Sequence, residues 1–154
     1  MGVSIEAASV ADRDAVIALW HAAGLTRPWN DPARDFDTAL SNPTSTILIA
    51  RDGNDLSGTA MVGFDGHRGW VYYLAVATDQ RGSGLGRALM ATAEDWLRAK
   101  GCVAIRLMVR GDNEGARGFY SAIGYEQQDV ITLGKRLEGL WAKGGLVSGW
   151  GLRL

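Results

Sequence analysis

The chain has 154 residues, 47% of them hydrophobic, 21% charged and 8% aromatic, which suits one buried core and is too apolar for disorder. Sixteen Lys plus Arg against seventeen Asp plus Glu leave a net charge of -1, so no global positive field exists to hold nucleic acid or an anionic membrane, and any bound anion must be held locally. One cysteine, Cys102, excludes an intramolecular disulfide and a multi-cysteine metal site, and the amino end has no basic segment followed by an apolar one. These features point to a cytoplasmic enzyme or binding module without a metal.

In chain order, 3–8 reads as a first strand. Ser9 and Asp12 stand at capping-box spacing before a helix on which Ala15, Val16, Leu19, Trp20 and Ala23 recur at helical intervals until Gly24. Asp31 and Pro32 form a cap and a first-turn proline for a short second helix, with Phe36, Ala39 and Leu40 on one face and Asn42-Pro43 as its stop. Three β-rich runs follow, 44–51, 56–64 and 70–76, whose simplest arrangement is an antiparallel meander with a hairpin turn at 52–55. Leu85, Leu89, Ala93, Trp96 and Leu97 keep helical spacing through 84–100, which Gly101 closes. Val103, Ile105, Leu107 and Val109 alternate as a strand, 112–123 is a glycine-weakened helix stopped by Gly124, and 125–137 reads as one or two further strands. Residues 1–137 thus read as one domain, with 138–154 as a C-terminal tail containing Gly and Trp.

The most informative segment is the β-rich run ending at Val76, which enters Gln80-Arg81-Gly82-Ser83-Gly84-Leu85-Gly86-Arg87 and passes directly into the long helix. A strand, a glycine turn and a helix make an anion site, because the first helical amides lack intrahelical partners and glycine lets a ligand approach the backbone. The dinucleotide fingerprint GxGxxG is disfavoured, since the glycines fall at 82, 84 and 86 and Arg87 holds the third required position. A phosphate-binding P-loop fails because Arg87-Ala88 stands where Lys and Ser or Thr are needed. What fits is RxxGxG, as Arg81, Gly84 and Gly86, preceded by Tyr73-Leu74-Ala75-Val76.

This segment resembles the pyrophosphate-binding motif of the GNAT superfamily of N-acetyltransferases. Asn113, Ala116, Phe119, Tyr120, Gly124 and Tyr125 resemble the second signature of that family, and the order of elements over 1–137 agrees. Arg27 to Pro32, Asp65 to Gly69 and Leu133 to Leu137 are similar to a bacterial YpeA-type subgroup. The resemblance implies the α/β (α+β) acyl-CoA N-acyltransferase fold, a mixed central sheet of about six to seven strands flanked by about four helices. It also implies that the strand ending at Val76 splays from the strand 103–109, with the pantetheine arm of acetyl-CoA in the gap. Backbone groups of Leu74, Ala75 and Val76 would bond the pantetheine and thioester, and Arg81, Gly82, Ser83, Gly84, Leu85, Gly86 and Arg87 would hold the pyrophosphate. An amide aimed at the thioester carbonyl would stabilise the negative charge that develops there.

In the same resemblance Tyr120 is the general acid that protonates the departing thiolate, while Phe119 packs. Asn113 either reaches the cofactor or caps its helix with Asp112. Where family members place a carboxylate or His on the strand before the glycine turn, this chain reads Trp70-Val71-Tyr72-Tyr73-Leu74. Asp65, His67 and Tyr73 are the groups left to relay a proton through water, and an α-amine needs no strong base. Arg27, Trp29 and Asn30, with the loop around His67, would wall the acceptor. The expected activity is acetyl-CoA-dependent acetylation of a primary amine, on a small molecule or a peptide, by direct attack on the thioester. A non-catalytic acyl-CoA-binding or sensing module is the alternative, and a domain for another pyrophosphate nucleotide such as NAD is a third. No nucleic acid or membrane partner is expected, and a homodimer is one expected state.

Overall fold

The alternating β-rich runs form the expected meander, and the turn chemistry sets its first hairpin. Gly53 adopts φ +65° between β2 (Ser45–Asp52) and β3 (Asp55–Phe64), a conformation that closes a two-residue hairpin without a Cβ penalty. β1 (Ser4–Ala7) pairs antiparallel with β2, and β3 pairs antiparallel with β4 (Gly69–Val76). β5 (Ile105–Leu107) joins β4 in parallel, giving a mixed five-stranded sheet in the order β1-β2-β3-β4-β5. Residues 2–138 are described in this computed structural model, and the chain divides into two units, Met1–Asn113 and Glu114–Leu154.

The capping signals act where the sequence places them. Ser9 and Asp12 close their box, with the Ser9 amide donating to Asp12 Oδ2 at 2.8 Å, ahead of α1 (Arg13–Ala22). Asp12 is also paired with Arg51 of β2, which ties the helix start to the sheet. Asp31 Oδ1 accepts from the amides of Ala33 and Arg34 at the start of α2 (Pro32–Ser41). Val16, Trp20, Phe36 and Ala39 bury their side chains with Ile47, Ile49 and Ala75, forming a core between these two helices and one sheet face. Each large apolar side chain buried there contributes about 1.5–3 kcal/mol.

α3 (Leu85–Ala99) crosses from β4 to β5 and buries Leu85, Leu89, Met90, Ala93 and Leu97. Strand alternation puts Gly58 on this side of the sheet, where a Cβ would stand 2.8 Å from Leu89 Cδ1 and 2.9 Å from the Ala75 carbonyl. Glycine at 58 is therefore a packing requirement of α3.

The strand count falls short of expectation. Among the described residues the sheet has five strands where six or seven were expected, because 125–137 forms none. A strand exists only as a paired ladder, and this run has β-branched composition without a pairing partner. Val130, Ile131, Leu133 and Leu137 are 75%, 85%, 77% and 95% exposed. β5 is also shorter than the alternation over 103–109 suggests, and Val103 lies outside it. In the second unit α4 (Glu114–Ala122) occupies the expected place. The expected tail lies outside the described residues from position 139 onward.

Candidate active site

The parallel pairing of β4 with β5 consists of Gly69↔Ile105, Trp70↔Arg106 and Val71↔Leu107, and it stops there. β4 nevertheless continues to Val76, so among the described residues Tyr72 to Val76 have no strand partner on the β5 side. This is the expected splay, and its unpaired edge consists of main-chain donors and acceptors that a ligand can satisfy. Leu74 and Val76 are half-buried along it, and Ala75 is buried.

The edge leads into the glycine turn. A single 3-10 turn, Thr78–Gln80, is followed by exposed Arg81, Gly82, Ser83 and Gly84. Gly82 and Gly84 have φ +79° and +86°, and among the described residues a Cβ built on either would meet nothing beyond its chain neighbours within 4 Å. The turn therefore needs glycine for its left-handed angles and leaves open space in front of its backbone. Ser83 Oγ donates to the Gln80 carbonyl, so its hydroxyl stabilises the turn. Gly84 caps α3 without a side-chain acceptor, and the first turn of α3 carries no acidic residue. Amides at Leu85, Gly86 and Arg87 thus precede the first intrahelical bond, from the Ala88 amide to the Gly84 carbonyl, at the positive end of a helix of 15 residues, with Arg87 exposed beside them. Residues of this kind fit an anionic pyrophosphate.

β4 is irregular at the point where it leaves β5. Met61↔Tyr72 and Thr59↔Ala75 are successive pairs with β3, so two residues of β4, Tyr73 and Leu74, stand opposite Ala60 alone. Tyr73 has φ +54°, the only positive value outside glycine among the described residues. Three contacts hold it, and a fourth bond links two of the partners. Its ring stacks on Trp20 at 3.8 Å between centroids and 12° between planes. Its hydroxyl donates to Asp35 Oδ2 at 2.7 Å. Its carbonyl accepts from Thr59 Oγ1 at 2.8 Å, and Thr59 Oγ1 accepts in turn from Trp20 Nε1 at 3.0 Å. Burial and the Asp35 bond push the Tyr73 phenol well above its ordinary range, so it remains a donor.

Asp35, Trp20 and Thr59 were not singled out by sequence reasoning. The local pattern hides Asp35, because it neighbours Phe36 on a helix read for its apolar face. A tryptophan on the apolar face of a helix, whose N–H requires an acceptor once buried, was the available signal. The fold supplies from α2 a carboxylate that the β4 sequence lacks.

The remaining sequence candidates occupy other places. Asp65 and His67 lie in the β3–β4 loop, before Gly69, whereas the glycine turn follows Val76, so the length of β4, about 23 Å, separates them. Asp65 Oδ1 accepts the amides of Arg68 and His67, and Oδ2 accepts from Trp70 Nε1 at 3.2 Å; these bonds hold its carboxyl below the usual range. His67 is exposed. Arg27 Nη1 donates to the carbonyls of Gly24 and Thr26 at 2.7 and 2.9 Å, and the Asn30 amide donates to the Arg27 carbonyl, so this segment is a built turn between α1 and α2. Trp29 in the same turn is half-buried.

Asn113 directly precedes α4, and its amide donates to the Arg110 carbonyl. In the second unit the Tyr120 ring meets Phe119 and Tyr125 edge-on, at 5.0 and 5.7 Å between centroids. Burial pushes its phenol up to about 12. Cys102 is half-buried, with Sγ donating to the Ala104 carbonyl. Among the described residues no group of three His, Cys, Asp or Glu side chains could hold a metal ion, and no helix is long and apolar enough to cross a membrane.

Residues 14–125 match the family model described as Acetyltransferase (GNAT) family. The chain belongs to the GNAT acetyltransferase family. An acetyltransferase of Pectobacterium atrosepticum is 47% identical over 126 residues, covering 82% of this chain and 89% of that protein. One of Sodalis glossinidius is 46% identical over 127 residues, with the same coverage of each. In fold the chain is similar to AAC(6')-Iy, solved with a bisubstrate analogue of CoA, at TM-score 0.77 and 18% identity over 88% of this chain and 99% of that one. It is also similar to an acetyltransferase of Clostridium acetobutylicum solved with acetyl-CoA, at TM-score 0.73 and 16% identity over 86% and 96%. The acetyl donor used by this family is acetyl-CoA.

Proposed function

We propose that this acetyltransferase transfers the acetyl group of acetyl-CoA to a primary amine by direct attack on the thioester. The observation that carries the reading is the end of β4–β5 pairing at Val71 and Leu107, on an edge that runs straight into the glycine turn. Amides of Leu85, Gly86 and Arg87, with Arg81, Gly82, Ser83 and Gly84, hold the pyrophosphate, since anions favour an uncapped helix start. Backbone groups of Leu74, Ala75 and Val76 hold the pantetheine arm and steady the thioester carbonyl. Bound acetyl-CoA supplies the activated acyl group.

Tyr120 is the donor for the departing thiolate in this reading, and like any phenol it carries its proton at neutral pH. Asn113 either contacts the cofactor or caps α4 with Asp112. The acceptor lies on the side of Arg27, Trp29, Asn30 and Tyr73, with the loop of Asp65 and His67 as its more distant wall. An amine-bearing small molecule is the favoured acceptor class, because aminoglycosides are the substrates named for several proteins of similar fold. A free thiol at Cys102 and the absence of any other cysteine fit a cytoplasmic setting. The runs from Arg27 and Asp65 support placement in the YpeA-type subgroup.

Calorimetric titration with CoA, acetyl-CoA and NAD, followed by an acetyl-transfer screen over polyamines, amino acids, aminoglycosides and peptides, tests the reading. Binding of both CoA forms without NAD, and turnover with at least one amine, is expected. Folded protein that binds neither CoA form overturns it, and binding without any transfer moves the chain to the sensing module.

A further inference from the structure

The strain in β4 has a support built from three other elements. Tyr73 occupies the left-handed region, which costs a non-glycine residue of this size free energy that only the surroundings can offset. Those surroundings are the stack on Trp20 of α1, the bond to Asp35 of α2, and the hydroxyl of Thr59 on β3, which bridges the Trp20 indole and the Tyr73 carbonyl. Thr59 is fully buried and serves both partners with its single hydroxyl. Register shows what this does to the strand. Tyr72 and Ala75, three positions apart, both pair with residues two apart on β3, so the bulge resets which main-chain groups of β4 meet β3 and which meet the gap.

We propose that Asp35 and Tyr73 are positioning residues: their bond, backed by Trp20 and Thr59, fixes the β4 bulge so that main-chain groups at Leu74 present a set geometry to the thioester carbonyl. The inference rests on the reading of β4 as the thioester-binding edge. Its second consequence is a physical link from the acceptor side to the acyl side, since Asp35 stands four residues after Asp31, at the end of the Arg27–Asp31 turn. An aromatic ring alone would fill the space beside Trp20. The hydroxyl adds a direction, because it anchors the ring to one helix.

The test needs no acceptor. Carbonyl-labelled acetyl-CoA bound to the full chain is read by isotope-edited infrared difference spectroscopy, with acetyl-CoA affinity from calorimetry and folding from circular dichroism. In the wild type the labelled carbonyl band is expected to lie below its position in free acetyl-CoA. In Tyr73→Phe and in Asp35→Ala it is expected to return at least half-way to the free position, with affinity changed less than threefold. Asp35→Asn keeps an acceptor for the hydroxyl and is expected to retain the wild-type band. A band unmoved by both Tyr73→Phe and Asp35→Ala overturns the positioning role alone. An Asp35→Asn protein that behaves like Asp35→Ala also overturns it, because charge rather than the bond is then what matters. Wild-type protein that binds no acetyl-CoA overturns this inference together with the proposed function.

Discussion

Gly84 separates two reasons for a glycine. Among the described residues, no atom beyond its own chain neighbours lies within 4 Å of where its Cβ would be, so crowding by them is not the constraint. Its φ of +86° is one constraint, at about 1–3 kcal/mol for a β-branched residue, and the space kept open before the α3 amides is the other. Gly84→Val is therefore expected to weaken CoA binding at least tenfold by calorimetry while circular dichroism still shows a folded domain. This residue was legible in the sequence because turn chemistry is local. Asp35 was not, because its role depends on a hydroxyl 38 positions away.

Tyr120 gives a prediction in turnover and one in pH. Tyr120→Phe keeps the ring packed against Phe119 and Tyr125 and removes the donor, so turnover is expected to fall roughly 10 to 1000-fold with acetyl-CoA affinity unchanged. Burial raises this phenol to about 12, so the folded state holds its proton more tightly than an unfolded chain near 10. The associated stability is complete below about pH 10 and is lost as pH rises through about 12. A rate profile measured on the alkaline side should accordingly show no loss of the donor below about pH 11. An alkaline limb near 8 or 9 that disappears in Tyr120→Phe would remove Tyr120 from that role.

At the scale of elements, what the sequence made legible were features governed by neighbours in the chain. The caps at Ser9 and Asp31, the hairpin at Gly53 and the central helix are set by side chains within a few residues of the backbone they satisfy. The run 125–137 has strand propensity, yet pairing is a non-local property that composition does not supply. The bulge at Tyr73 was likewise hidden, since it appears only when β4 is set beside β3. Gly58 shows how α3 depends on the sheet. A methyl there would press on Leu89 and on the Ala75 carbonyl, and the carbonyl belongs to backbone that cannot swing away. Gly58→Ala is expected to destabilise the protein by about 1–3 kcal/mol, read as a lowered Tm. Because α3 carries the glycine turn at its start, CoA affinity should fall in the same variant.

At the scale of the whole molecule, residues 14–125 carry the family match, and the glycine turn and the β4 gap lie within them. The stretch from Glu138 to Leu154 is therefore expected to be separable from cofactor binding. Residues 139–154 lie outside the described residues, but their sequence holds Leu140, Trp141, Leu146, Val147, Trp150, Leu152 and Leu154, an apolar content from which contact with a core or a partner is expected. An isologous dimer is the commonest oligomer, so a subunit contact is one role and packing on its own domain is the other. A chain ending at Leu137 should bind CoA with the affinity of the full chain, and it should show either a lower Tm or a smaller mass by light scattering. A lower Tm at unchanged mass assigns the segment to its own domain, whereas a mass that halves assigns it to a subunit contact. Equal Tm and equal mass would show that these apolar residues cover nothing, and loss of CoA binding would place the end of the functional domain beyond Leu137.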